Sequence, residues 1–340
     1  MRDRILIYLT IFVSSLVCVS TTNQCKIVND LSSCIYTIVC EEYGGSAPNP
    51  SCNSEPYVTF VIKESLLEGL SASFFGSTNF DSRVREIKAL RNNWNTIAES
   101  SFRYYPKTIQ MELSNNKIRS INGMAFKNLL YMTKLNISRN QIEDLYSDSL
   151  RVSDTRESEI VTLDLSYNKL ELLPANLFNS LSKLETLYLN RNRIKELPIN
   201  IFRNLENLTT LNLEHNGLSY FNMSLIYLRS LKRLDLSYNN LSELSGSELN
   251  RLTSLIFVNF SNNALETVES NCFNQAFNLQ VVDLKNNKIK SVIENVMFIN
   301  NAKLMYLDLE HNFITKIQDD AFKHNALEYF NLNGNNLTGD

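Results

Sequence analysis

Residues 184–202 read LETLYLNRNRIKELPINIF, and this stretch decides the fold. Apolar residues stand at Leu184, Leu187, Leu189, Ile194 and Leu197, with Asn192 among them and Phe202 closing the run. Leu187 and Leu189 flank one outward residue, the period-two alternation of a short half-buried strand. Counted from Leu184, the pattern is apolar at offsets 0, 3, 5, 10 and 13, asparagine at 8, and a large apolar residue at 18. It recurs about every 24 residues, starting at Val84, Thr108, Met132, Ile160, Leu184, Leu208, Leu231, Leu255, Leu279, Leu304 and Leu327. Asparagine holds offset 8 in all eleven repeats: Asn92, Asn116, Asn140, Asn168, Asn192, Asn216, Asn239, Asn263, Asn287, Asn312 and Asn335. A weaker copy precedes them, with Tyr57, Phe60, Ile62, Leu67, Leu70 and Phe75 in register and Ser65 in the asparagine's place.

One strand per repeat predicts a parallel sheet with neighbours about 4.8 Å apart, so twelve strands extend on the order of 55 Å. After each strand the backbone must leave the sheet, stranding N–H and C=O groups inside. An asparagine amide supplies both donors and an acceptor, so a ladder of them can satisfy those groups. Aspartate would bring a buried charge there, and leucine no hydrogen bond. Offset 18 predicts a second buried spine on the convex side, beneath helical turns or irregular loops. It comprises Phe102, Phe126, Phe178, Phe202, Phe273 and Phe322, with Leu150, Ile226, Leu249 and Phe298 completing the series. Between Met132 and Ile160 the period lengthens to 28 residues, and the extra residues fall in the polar run 151–158, RVSDTRES. Insertions in stacked repeats go to loops. This one is a protruding element or a tolerated surface loop.

The chain has 340 residues, a formal charge of −3, 44% hydrophobic and 20% charged residues, and 45 asparagines. That composition is globular, and the acidic balance disfavours nucleic acid or a polybasic membrane surface as partner. Residues 1–20 read as a secretory signal: Arg2 and Arg4, an apolar stretch from Ile5 to Val17, then Cys18-Val19-Ser20. Beyond it no apolar run is long enough for a membrane span. Residues 21–56 carry Cys25, Cys34, Cys40 and Cys52, which in an oxidising compartment read as two disulfides with three connectivities open. Zinc is the rival for these four, with neither histidine nor CxxC nearby to supply the usual ligands. Cys272 is left over, either a buried free thiol or an intermolecular bridge.

Offsets 2, 4, 6 and 7 should face the concave side. In repeats four to seven they are Thr162, Asp164, Ser166 and Tyr167; Thr186, Tyr188, Asn190 and Arg191; Thr210, Asn212, Glu214 and His215; Arg233, Asp235, Ser237 and Tyr238. Tyrosines and arginines amid polar residues are enriched where proteins recognise one another. The expected ligand surface is therefore Tyr167, Tyr188, Arg191, Asn212, Glu214, His215, Arg233, Asp235 and Tyr238. Glycosylation acceptors occur at Asn136, Asn207, Asn222, Asn240, Asn259 and Asn336. Asn136 and Asn259 fall at offset 4 of repeats three and eight, so glycans there would bracket repeats four to seven as an open window. Catalytic motifs such as GxSxG, the P-loop and HExxH do not occur. His215 and His311 share offset 7 but stand four repeats apart, roughly 19 Å, too far to share a metal. The expectation is a protein without catalytic residues, metal or cofactor.

The copies LETLYLNRNRIKELPINIF and LKRLDLSYNNLSEL carry the LxxLxLxxNxL signature, and the chain resembles the leucine-rich-repeat family over residues 57–340. The resemblance implies an α/β fold: a right-handed solenoid, or horseshoe, with a concave parallel β-sheet and an N-terminal disulfide cap shielding the first repeat. A signal, a cysteine cap and these repeats look like extracellular recognition proteins, including Toll-type receptor ectodomains, adhesion proteins and secreted immune factors. The opening CKIVNDLSSC resembles the secreted leucine-rich immune proteins of mosquitoes, which bind complement-like thioester proteins, although the coiled coil of those proteins is absent. The chain halts at Gly339-Asp340 inside its eleventh repeat with no second cysteine cap, as a receptor fragment would, or as a chain whose open edge a partner covers. The implied function is extracellular recognition of a protein or glycoconjugate through the concave face, with innate immunity as the implied setting. The alternative is a structural, adhesive or receptor ectodomain that acts by homo- or hetero-dimerisation.

Overall fold

A computed structural model describes residues 84–338 apart from 221–223, 291, 292 and 295, without the side chain of Glu248. Before Val84 it gives only the strand backbones Leu6–Phe12, Cys25–Asn29, Ile35–Cys40, Val58–Lys63 and Gly69–Leu70, with Val58–Lys63 parallel to Val84–Leu90. The signal segment, the cap disulfides or their zinc rival, and the acceptor Asn222 depend on side chains or segments outside the described residues.

The chain divides into two compact units, Met1–Lys169 and Leu170–Asp340. In the first, strands Val84–Leu90, Gln110–Glu112, Lys134–Asn136 and Thr162–Asp164 pair in parallel, each shifted by one repeat. Among its described residues the second stacks seven parallel strands: Thr186–Tyr188, Thr210–Asn212, Arg233–Asp235, Phe257–Asn259, Val281–Asp283, then Tyr306–Asp308 and Tyr329–Asn331.

 Each is three residues long, and in every repeat from Thr186–Tyr188 to Val281–Asp283 the middle residue alone is fully buried. That alternation packs Leu187, Leu211, Leu234, Val258 and Val282 inward and leaves their neighbours on the outer face.

The asparagines at offset 8 close the turn behind each strand. Asn140 in the first unit accepts the Ile118 N–H at 3.0 Å and donates to the carbonyls of Leu113 and Ile137, each at 3.0 Å. Asn239 in the second accepts from Leu218 N–H and donates to Leu213 and Leu236, all at 3.0 Å. Each amide thus joins its own strand end to the preceding repeat, and water has no access to the groups it satisfies.

Behind the turns, offset 13 forms two-residue parallel ladders, Thr96–Ile97 with Ser120–Ile121 and Asp144–Leu145, and Glu243–Leu244 with Thr267–Val268. The far side carries little helix among the described residues: a 3-10 turn at Ser224–Tyr227 and one helical turn at Gly246–Leu249. Elsewhere single turns follow one another, as where Leu205 N–H donates to Phe202 and Leu208 N–H to Leu205. Phenylalanines stack beneath these turns, Phe102 on Phe126 at 5.8 Å, Phe178 on Phe202 at 6.2 Å and Phe273 on Phe298 at 5.7 Å. Repeat six departs from the expected series: Leu225 is fully buried and Ile226 is not. That repeat is one residue short, so its inward position arrives one offset early. The polar insertion is anchored rather than free, because Val152 is fully buried, its carbonyl accepts Asn128 N–H at 2.8 Å, and Asp154 pairs with Lys127 at 3.3 Å.

Candidate functional site

The outer sheet face is built by three offsets with different tasks. At offset 4, Asn212 accepts the N–H of Glu214 at 2.9 Å, and Asp235 accepts the N–H of Ser237 at 3.0 Å. Glu112, Asn136, Asp164, Asn259, Asp283, Asp308 and Asn331 do the same for the residue two positions on. A side-chain acceptor two residues before a donor makes an Asx-type turn, which ends the strand. Offset 6 lies inside this turn, so Ser166 and Ser237 are buried at 6% and 3% exposure. They do not belong to the exposed concave set expected for them.

Offset 7 is the most unusual position. Its residue has positive φ in every repeat, including Arg139 (54°), Tyr167 (54°), Arg191 (56°), His215 (52°) and Tyr238 (55°). A left-handed backbone costs most residues roughly 1–2 kcal/mol, and asparagine or glycine less. Asn115, Asn262, Asn286 and Gly334 are the inexpensive choices in other repeats. The sequence signal was therefore present in that recurrence of Asn and Gly, and composition of the face alone did not reveal it.

In the first unit the guanidinium of Arg139 lies 4.2 Å over the ring of Tyr167, a pair in which the cation had escaped the sequence reading. In the second, His215 stacks on Tyr238 with ring centroids 4.2 Å apart and planes 5° from parallel. Glu214 Oε1 lies 3.5 Å from Arg191 Nη2 and 3.6 Å from His215 Nε2. Arg233 sits 4.3 Å over Phe257, and Asp235 receives Asn259 Nδ2 at 3.4 Å. Arg191, Arg233 and Tyr238 are exposed; Tyr188, Asn212, Glu214, His215 and Asp235 are half-buried. This unit thereby brings eight of the nine expected contact residues onto one sheet face, with Tyr167 on the face of the other unit. Alternating π-faces, cations and carboxylates can hold a polar, partly aromatic surface. Farther along, burial pushes the Asp283 carboxyl up, and the Tyr306 hydroxyl donates to Asp308 Oδ2 at 3.3 Å. Among the described residues no cluster of His, Cys, Asp and Glu is arranged to hold a metal ion.

Cys272 lies away from this face. It is fully buried, its Sγ donates to the Leu244 carbonyl at 3.1 Å, and burial, with Glu269 nearby, pushes its thiol up to about 12. A bridge to another chain would require that repeat to open, so the folded protein offers no reactive thiol there.

Sequence comparison places these repeats in a known lineage. The family described as leucine rich repeat matches residues 158–218, 229–289, 257–312 and 277–337, and the BspA type leucine rich repeat region matches residues 53–154. The chain belongs to the leucine-rich-repeat family. This leucine-rich-repeat chain is 28% identical to lumican of Gallus gallus over 250 residues, covering 72% of this chain and 64% of that protein. With lumican of Mus musculus it shares 32% over 242 residues, covering 69% and 61%. It therefore spans less than two thirds of the length of the lumicans it matches. The structure of the Drosophila Toll–Spatzle complex resembles it with a TM-score of 0.72 and 23% identity, covering 81% of this chain and 38% of that one. At that identity the likeness is one of fold.

Proposed function

We propose that this leucine-rich-repeat chain is an extracellular, non-catalytic recognition module that binds a protein or glycoconjugate on its outer sheet face. The observation that carries the reading is the set of large side chains on left-handed backbone within the second unit, Arg191, His215 and Tyr238. Folding alone would favour asparagine or glycine at such positions, as neighbouring repeats use, and strained positions gather where function needs them. Its likeness to secreted matrix proteins such as lumican supports extracellular placement. The Toll–Spatzle complex, a molecular hub in Drosophila development and innate immunity, motivates an immune or developmental setting. A glycan on Asn259 would lie beside this surface; its Nδ2 donates to the Asp235 carboxylate at 3.4 Å and retains a second N–H.

The test is a binding screen of the secreted chain against arrayed extracellular proteins and glycans, repeated with His215→Asn and Tyr238→Asn. Both substitutions suit positive φ, so the unfolding midpoint should hold within about 0.5 kcal/mol while ligand binding falls. Wild-type binding by both variants would sink the sheet-face reading. A second reading is self-association, for which the exposed Phe277 and Phe313 offer apolar surface. A light-scattering mass that stays monomeric at high concentration would remove it.

A further inference from the structure

Away from the sheet face, the turns of repeats five, six and seven enclose a cleft of about 530 Å³. Its walls carry one arginine from each repeat, Arg203, Arg229 and Arg251, against a single acid, Glu206. Ile226 and the ring of Tyr227 form the apolar part, and Asn200 Oδ1 holds the Tyr227 hydroxyl at 3.0 Å. Arg229 and Arg251 also line an adjoining cleft of about 800 Å³, so the two share a wall.

Two other arginines of this unit are neutralised: Arg191 faces Glu214 and Arg193 faces Glu171. The three cleft arginines have no such ion pair among the described residues, in a chain whose formal charge is −3. A concave surface focuses their field, and guanidinium forks favour planar, bidentate oxyanions. Successive repeats step by about 4.8 Å, so the arginines span about 10 Å along the stack. A single inorganic anion would occupy a fraction of this volume. An acidic peptide would seek an open sheet edge for its backbone, whereas side chains on turns form these walls. An aromatic wall beside several cations suits a sugar ring that carries its own anionic groups.

We infer that this groove binds a sulfated polysaccharide, its sulfates held by Arg203, Arg229 and Arg251 and a sugar face resting on Tyr227 and Ile226. The site is separate from the outer sheet face and needs only the extracellular placement proposed above. Immobilised heparin is the probe, with chemically desulfated heparin as control and the full chain as analyte. Wild type should be retained and released by salt, and desulfated heparin should not retain it. R203A/R229A/R251A should bind at least about tenfold more weakly, while K117A/R119A/K134A, which removes the same charge from the other unit, binds as wild type. Thermal midpoints of both triple variants check folding, and R203Q/R229Q/R251Q repeats the loss with longer side chains if the alanine variant is unstable. His215→Ala should leave heparin retention unchanged, which separates this site's failure from failure of the sheet-face reading. The inference is overturned by no wild-type retention, by equal loss in both charge-removal variants, or by equal binding to desulfated heparin. Complete displacement by millimolar inorganic sulfate, or equal binding of polyglutamate, would overturn it in favour of a small-anion or acidic-peptide site.

Discussion

Asn239 satisfies backbone groups from two repeats with a single amide, and no other side chain of its size can do so. Asn239→Ala would leave the Leu218 N–H without its partner, while the Leu213 and Leu236 carbonyls keep the amides of Asn216 and Asn263. Urea unfolding should show a loss of about 1–3 kcal/mol. Cys272 makes a different prediction at the same scale. Its thiol is raised from 9.0 in its ordinary state to about 12 in the fold, so the folded state holds the proton more tightly. The associated stability is complete below pH 9 and is lost as pH rises toward 12. Stability should therefore fall more steeply above pH 9 in the wild type than in Cys272→Ala, and iodoacetamide should label Cys272 only as the repeat opens. Rapid labelling of the native chain at neutral pH would contradict the buried assignment.

From Gln110–Glu112 onward each strand of the main sheet is only three residues long, so no such element could persist alone; its stability comes from its neighbours and from the spine beneath. Phe202 shows how the far side contributes, since it is fully buried and stacks on Phe178 within the same unit. Phe202→Ala should cost about 3–5 kcal/mol, measured by chemical denaturation, because the turn above it is held by short bonds and can collapse only partly into the cavity. The same turns explain why helices are rare. Between one strand and the next the chain reverses through successive single turns, too short to nucleate a helix. Spacing foretold the buried spine at Phe178, Phe202 and Phe273, yet it assigned Ile226 where Leu225 points inward. A fixed offset count cannot register the residue that repeat six lacks.

Stacked repeats transmit energy only to their neighbours, so the molecule should behave as a nearly one-dimensional array. Asn216 and Asn239 both donate to the Leu213 carbonyl, whereas Asn312 shares no partner with Asn216. A double-mutant cycle of Asn216→Ala with Asn239→Ala should give a coupling of about 0.5–3 kcal/mol, while Asn216→Ala with Asn312→Ala should add within about 0.5 kcal/mol. Equal coupling in the two cycles would argue against nearest-neighbour stability. The proposed contact surface is dispersed in the same way: His215 and Tyr238 lie 23 positions apart in sequence, and the parallel register makes them neighbours.

The sequence by itself determined the repeat, the strand positions and the asparagine at every offset 8, because apolar periodicity and an obligatory backbone partner leave local marks. It also indicated which columns carry tyrosine, arginine and histidine. Only the tertiary structure decided that the serines at offset 6 are buried, that offset 7 is left-handed, and that Glu214 lies between Arg191 and His215. It alone gathered Arg203, Arg229 and Arg251 around one cleft. Those outcomes depend on side chains from different repeats meeting at strand spacing, and on hydrogen bonds that turn the backbone after each strand. Neither is encoded in the spacing of any single repeat.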